Sequence, residues 1–114
     1  MSKNRVILVL LAVLLVLTVV LPVAASPDSA IKKTRIEDFA FVPNRTQGCL
    51  SSDQFGWKNF GPSPHTVTSD TGAFDSGTMN VNDLFLFTPT TTGIFTYHCA
   101  FHPTMTGGFR VNNC

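Results

Sequence analysis

Residues 92–111 read TGIFTYHCAFHPTMTGGFRV. Two short runs of strand character, Ile94–His98 and Gly108–Val111, flank the loop CAFHPTM, which runs from Cys99 to Met105. In that loop a thiol, an imidazole and a thioether stand at positions i, i+3 and i+6. Sulfur and imidazole donors are soft to borderline ligands. Taken alone, Met105 would read as loop packing; its place three residues after His102, itself three after Cys99, makes it a candidate ligand. The stretch therefore predicts a metal centre between two strands, with a fourth ligand elsewhere.

Three histidines can supply it: His65, His98 and His102. His98 adjoins Cys99, and neighbours in an extended strand point to opposite faces, so His98 is expected to face away. His65 lies in PSPHTVTSD, where a strand begins after a proline-rich turn, and can meet the 99–105 loop in space. Two imidazoles, one thiolate and a weak thioether form the donor set of blue-copper electron-transfer sites. A structural zinc site would draw on more cysteine or histidine and no methionine.

The chain has 114 residues, enough for one domain. Lys3 and Arg5 precede an uncharged apolar run from Val6 to Leu21, followed by Pro22 and the small residues Val23-Ala24-Ala25. That is the pattern of a secretory signal over residues 1–25, or of an uncleaved membrane anchor. Residues 26–33 read as a flexible lead-in and 34–114 as the domain, exported to the periplasm or the cell exterior. Without Lys3 and Arg5, six basic residues face seven acidic ones. This near-neutral balance offers no basic patch for nucleic acid. Exported thiols tend to pair, and three cysteines leave one over. Cys99 sits among candidate ligands while Cys49 and Cys114 do not, so the economical reading is a Cys49–Cys114 disulfide.

Long helical periodicity is absent. Strands are expected at Thr34–Glu37, Ala40–Pro43, Gln54–Asn59, Thr66–Ser69 and Leu84–Thr88, besides the two already given. Turn signals such as GPSP (61–64) and SDTG (69–72) separate them. Many short strands at this spacing indicate an all-β sandwich or barrel. The stretch from Gly72 to Asp83 is too long for a hairpin and reads as an irregular excursion between sheets. Trp57 and the ten phenylalanines are core candidates, with Phe85, Phe87 and Phe95 lining the sandwich.

In IEDFAFVP (36–43), Trp57-Lys58-Asn59, PHTVTSD (64–70), GAFDSG (72–77) and residues 92–111, the chain resembles the cupredoxins, particularly the small plastocyanin- and amicyanin-like proteins. The two-residue gaps on either side of His102 resemble the short ligand loop of amicyanins. The resemblance implies a Greek-key β-sandwich binding one copper ion through His65, Cys99, His102 and Met105. QGCLSSDQFGW (47–57) departs from the family pattern, and Val81-Asn82 stand where a proline-glycine turn is usual. In the family the strand before that segment runs beside the last one, which would bring Cys49 near Cys114.

By the same resemblance the protein is a monomeric one-electron carrier and not an enzyme. Redox donor and acceptor proteins would dock at the ring edge of His102, beside Pro103 and the facing Gly61, Pro62 and Pro64. Contact with a membrane is expected only if residues 1–25 are retained. Multicopper oxidase chemistry needs further histidines, often in His-x-His pairs, and the chain has His98-Cys99-Ala100 instead. Copper delivery outside the cytoplasm is the alternative; such sites are often methionine-rich, and only Met79 and Met105 follow the apolar run. Thr66 is placed to tie the His65 segment to the ligand loop, and amides following Cys99 are candidates to hydrogen-bond its sulfur.

Overall fold

The computed structural model describes residues 18–20 and 30–114. The expected signal or anchor at 1–25, apart from residues 18–20, and residues 26–29 of the lead-in lie outside the described residues. Among the described residues there are eight strands: β1 Ala30–Glu37, β2 Ala40–Val42, β3 Arg45–Cys49, β4 Asp53–Asn59, β5 Thr68–Ser69, β6 Leu84–Phe87, β7 Gly93–His98 and β8 Thr106–Asn112. They form two four-stranded sheets, ordered β2-β1-β4-β6 and β3-β8-β7-β5. The pairs β1–β4 and β3–β8 are parallel and the others antiparallel. The expected all-β sandwich is observed.

Three elements differ from the sequence reading. Ala30–Lys33, read as lead-in, is the first half of β1 and pairs in register with Asp53–Gly56. The expected strand at 66–69 shortens to two residues, because the residues before it pair elsewhere. His65 and Met79 exchange both backbone bonds (3.1 and 2.8 Å), and Ser76 N donates to Val67 O. The 72–83 excursion therefore folds back along the His65 segment and brings Phe74 and Met79 into the core.

The third difference is β3, which has no counterpart among the expected strands. RTQGC buries only Gly48, so it carries no apolar alternation to read. It forms as an edge strand through main-chain pairing with β8, from Arg45↔Gly108 to Cys49↔Asn112. At Gly48 a Cβ would come within 3.0 Å of the Asp53 side chain and 3.1 Å of the Phe55 ring, so any side chain would have to displace one of them. Asp53 in turn accepts a 2.7 Å bond from Cys49 N.

Cys49 is bonded to Cys114, closing a loop over 65 positions in sequence. On the chain-entropy model that closure stabilises the fold by about 4 kcal/mol. Reduction, or a Cys49→Ala/Cys114→Ala pair, is expected to cost that amount in chemical denaturation. A loss below ~1 kcal/mol would mean that β3–β8 pairing, and not the cross-link, holds this edge.

The core lies between the sheets and is mainly aromatic. Phe55 and Trp57 from β4 face Tyr97 and Phe109 from the opposite sheet, with Phe74 between them. Phe85, Phe87 and Phe95 are partly buried against this cluster, as expected for the lining of the sandwich.

Candidate metal centre

The loop between β7 and β8 is shaped by its own backbone. His102 N donates to Cys99 O (3.2 Å) and Met105 N donates to His102 O (2.8 Å). These are two successive turns, each closed between residues three apart in sequence. Cys99 N donates to Met105 O (3.0 Å), which closes the loop on itself. The i, i+3, i+6 spacing is the period of those turns. Cys99 and Met105 are buried, and His102 is half-buried.

The fourth residue arrives from the other segment. His65 is held by its bridge to Met79 and is fully buried. Its Nδ1 lies 3.7 Å from Cys99 Sγ, and His102 Nδ1 lies 3.6 Å from the same sulfur. The three donor atoms all fall within 4.8 Å of one another. Metal–sulfur and metal–nitrogen bonds of about 2.3 and 2.0–2.1 Å could span the 3.7 and 3.6 Å separations between the sulfur and each ring nitrogen. The three residues fit a single ion. His98 lies apart from this cluster: its Nδ1 is 2.6 Å from Asp70 Oδ1 on the exterior.

The sulfur and the His65 ring are each fixed by a partner. Thr66 N donates to Cys99 Sγ at 3.4 Å, and Ala100 N donates to Thr66 Oγ1 at 2.7 Å. Thr66 does tie the two segments together. The amide on the sulfur, however, comes from Thr66 and not from the residue after Cys99, whose N–H is taken by the Thr66 hydroxyl.

His65 Nε2 lies 3.1 Å from Asp38 Oδ1. A carboxylate can only accept, so Nε2–H donates to it and Nδ1, which faces the sulfur, is left to bind a metal. Ser63 N and Oγ also donate to Asp38, at 3.3 and 3.1 Å. The His65 hydrogen bond holds the Asp38 carboxyl below its ordinary value; desolvation opposes this and the Ser63 bonds add to it. Gly61 makes room, since a Cβ at that position would collide with the Asp38 side chain.

Loss of such a partner costs about 10–100-fold in metal affinity. That loss is expected for Asp38→Ala, read by chelator competition. Asp38→Asn keeps an acceptor oxygen and should lose less; equal losses would assign the effect to charge alone.

Asp38 and its neighbour Phe39 are the site residues that the sequence reading missed. They form the two-residue turn between β1 and β2, closed by the Glu37↔Ala40 pair. Phe39 has φ +69°, in the left-handed region that a side chain of this size rarely takes. In this conformation its exposed ring stands edge-on to His102, with centroids 5.0 Å apart, and 6.4 Å from His65. The only local signal was an acid and an aromatic at a position where a turn would normally carry glycine or asparagine.

No family model matches the sequence, and no curated protein matches it. Solved structures do match. A purple cupredoxin from Nitrosopumilus maritimus aligns with a TM-score of 0.65 and 22% identity, over 71% of this chain and 99% of its own. A Cu(I) form of an amicyanin mutant aligns at 0.67 and 26% identity, over 78% and 88%. A copper-containing nitrite reductase from Thermus scotoductus SA-01 aligns at 0.70 and 18% identity, over 82% of this chain and 25% of that one. The chain has the cupredoxin fold.

Proposed function

We propose that this protein is a one-electron carrier that works outside the cytoplasm, with one copper ion held by His65, Cys99, His102 and Met105. The observation that carries the reading is the convergence of two imidazole nitrogens on one buried sulfur, at 3.7 and 3.6 Å. Thiolate and thioether suit Cu(I), imidazole also suits Cu(II), and the bound ion supplies one reversible electron. The amide of Thr66 on the sulfur and Asp38 on His65 would hold these two donors in place whether a bound ion is oxidised or reduced. Buried Met105, at the end of the closed loop, would supply the fourth, weaker donor.

His102 is the half-buried member of the set, and its surroundings are apolar: Phe39 packs against it, and Phe101 and Pro103 beside it are exposed. Redox donor and acceptor proteins dock there, in contacts small enough to be transient. The nitrite reductase match covers a quarter of that enzyme's chain. His98, the one histidine outside the cluster, is engaged with Asp70 on the exterior.

Loading with one equivalent of copper is expected to give an intense visible charge-transfer band, a small parallel hyperfine coupling and a reversible one-electron wave. A colourless, electrochemically irreversible complex that gives up its copper rapidly to a weak chelator would overturn this reading in favour of delivery.

A further inference from the structure

The outer face of the β2-β1-β4-β6 sheet takes no part in the metal centre, and its side chains are the wrong kind for a surface left to water. An antiparallel or mixed sheet with one solvated face normally turns polar residues outward. Here β6 turns Phe85 and Phe87 in and Leu84 and Leu86 out, the latter two 70% and 51% exposed. Ile31, Val42 and Phe60 are also exposed. Together these side chains line a shallow groove of about 720 Å³ across the sheet. Contiguous apolar surface of this kind marks an interaction site.

The charged side chains that line the groove are all basic. Between Ala30 and Cys114 the chain has six basic and six acidic residues, yet Lys33, Arg35 and Lys58 all line this groove. Strand register sets Arg35 directly beside Lys58, with Lys33 beside Gly56 one pleat away. Like charges side by side across two strands cost stability. Both lean on the ring of Phe60, Arg35 Cζ at 3.7 Å and Lys58 Nζ at 5.0 Å from its centre. Glu37 pairs with Arg35 at 3.3 Å. Among the described residues no carboxylate lies within ion-pair distance of Lys33 or Lys58.

We propose that this face docks on the surface of a bilayer containing anionic phospholipid. The exposed aliphatic side chains enter the headgroup boundary, and the three cations, on long apolar stems, meet lipid phosphates. A second copy of the chain is a poor occupant, because it would set three cations against three. The path of the chain agrees with a bilayer. Ile31, at one edge of the groove, follows the first residue of β1, and eight residues, 22–29, separate the uncharged run Val6–Leu21 from Ala30. Those eight residues reach at most about 28 Å, so a membrane holding that run lies within range of the face. β1 leads from this edge to the turn at Asp38, which touches His65. A bilayer on the sheet face therefore lies alongside the metal end and leaves the His102 edge open to a membrane-held redox partner.

The test compares the full chain with Lys33→Glu/Arg35→Glu/Lys58→Glu and with Leu84→Ser/Leu86→Ser. Co-sedimentation is measured on neutral phosphatidylcholine vesicles and on vesicles containing phosphatidylglycerol, at low and high salt. All three proteins share residues 1–29, so the contribution of that segment is common to them. The wild type is expected to favour the anionic vesicles by ~tenfold or more at low salt. The charge-reversed variant should lose that preference, and the serine variant should bind both vesicle types more weakly. Lys33→Gln/Arg35→Gln/Lys58→Gln, with an unchanged circular dichroism spectrum, guards against a folding effect. A charge-reversed or neutralised variant that keeps the wild-type preference overturns the proposal, as does a wild type indifferent to lipid charge; the latter would point to an acidic protein partner instead. None of these outcomes depends on the identity of the metal.

Discussion

Cys99→Ser is expected to abolish the intense visible band of the copper-loaded protein and to lower copper affinity by more than ~100-fold, the range that loss of an outer partner alone already reaches. The sulfur is the only donor shared by both imidazoles, at 3.7 and 3.6 Å, and it is fully buried. A serine oxygen in its place is hard, shorter in reach and neutral at ordinary pH, whereas the thiolate is soft and carries the one negative charge among the four proposed ligands. The charge-transfer band belongs to the sulfur–metal bond and goes with it. Any Cu(II) that still binds between the imidazoles should show a larger parallel hyperfine coupling. The Thr66 amide loses a weak acceptor and gains a hydroxyl oxygen, so the thermal transition of the metal-free protein should move little. A variant that keeps the band would remove Cys99 from the site.

Much of the proposed site is legible in the sequence, because its chemistry is concentrated in one loop. Cys99, His102 and Met105 are spaced by the turns that their own backbone makes, and periodic spacing of unlike donors is visible in a string of letters. His65 was reachable through the elimination of His98, since neighbours on a strand face opposite ways. Asp38 was not reachable. It lies 27 positions from His65 and meets it only because the β1–β2 turn packs over the start of the His65 segment, and an acid in a turn has no distinguishing mark in one dimension. Phe39 was hidden for the opposite reason: its left-handed backbone contradicts local preference and exists only where the surrounding structure imposes it.

The fold shows the same division. Strands that bury one face, such as β4 with Phe55 and Trp57, announce themselves through side chains. β3 buries only a glycine and is held by main-chain bonds to β8, so RTQGC gives no pattern to read. The first half of β1 reads as a lead-in because its outward residues, Ile31 and Lys33, break the usual contrast between an apolar inner and a polar outer face. The same irregularity, seen in three dimensions, is the amphipathic surface proposed above to meet lipid.

Phe109→Ala is expected to cost about 3–5 kcal/mol of stability, the range for removing a buried aromatic ring. Phe109 comes from β8 and is the ring through which the two sheets meet. Its centroid is 4.0 Å from that of Phe55 on β4 and 5.0 Å from that of Phe95 on β7, stacked in both cases. Phe74 stacks at 5.8 Å, and Trp57 lies tilted at 5.9 Å. These neighbours belong to different strands and to the 72–83 excursion, so they cannot all collapse into the space left by the ring, and the cavity term is added in full to the lost transfer energy. A domain of this size has about 5–10 kcal/mol in total, which puts the variant close to its unfolding limit at ambient temperature. Phe109→Leu fills most of the volume and should cost ~1–2 kcal/mol. Chemical denaturation of the metal-free protein separates the two. The copper spectrum of whatever remains folded should be unchanged, because the 99–105 loop is closed by its own hydrogen bonds and the His65 segment by its bridge to Met79. Cys99→Ser then removes the colour and leaves the fold, whereas Phe109→Ala weakens the fold and leaves the colour. A Phe109→Ala protein of normal stability with an altered copper spectrum would mean that the core and the metal centre are one cooperative unit.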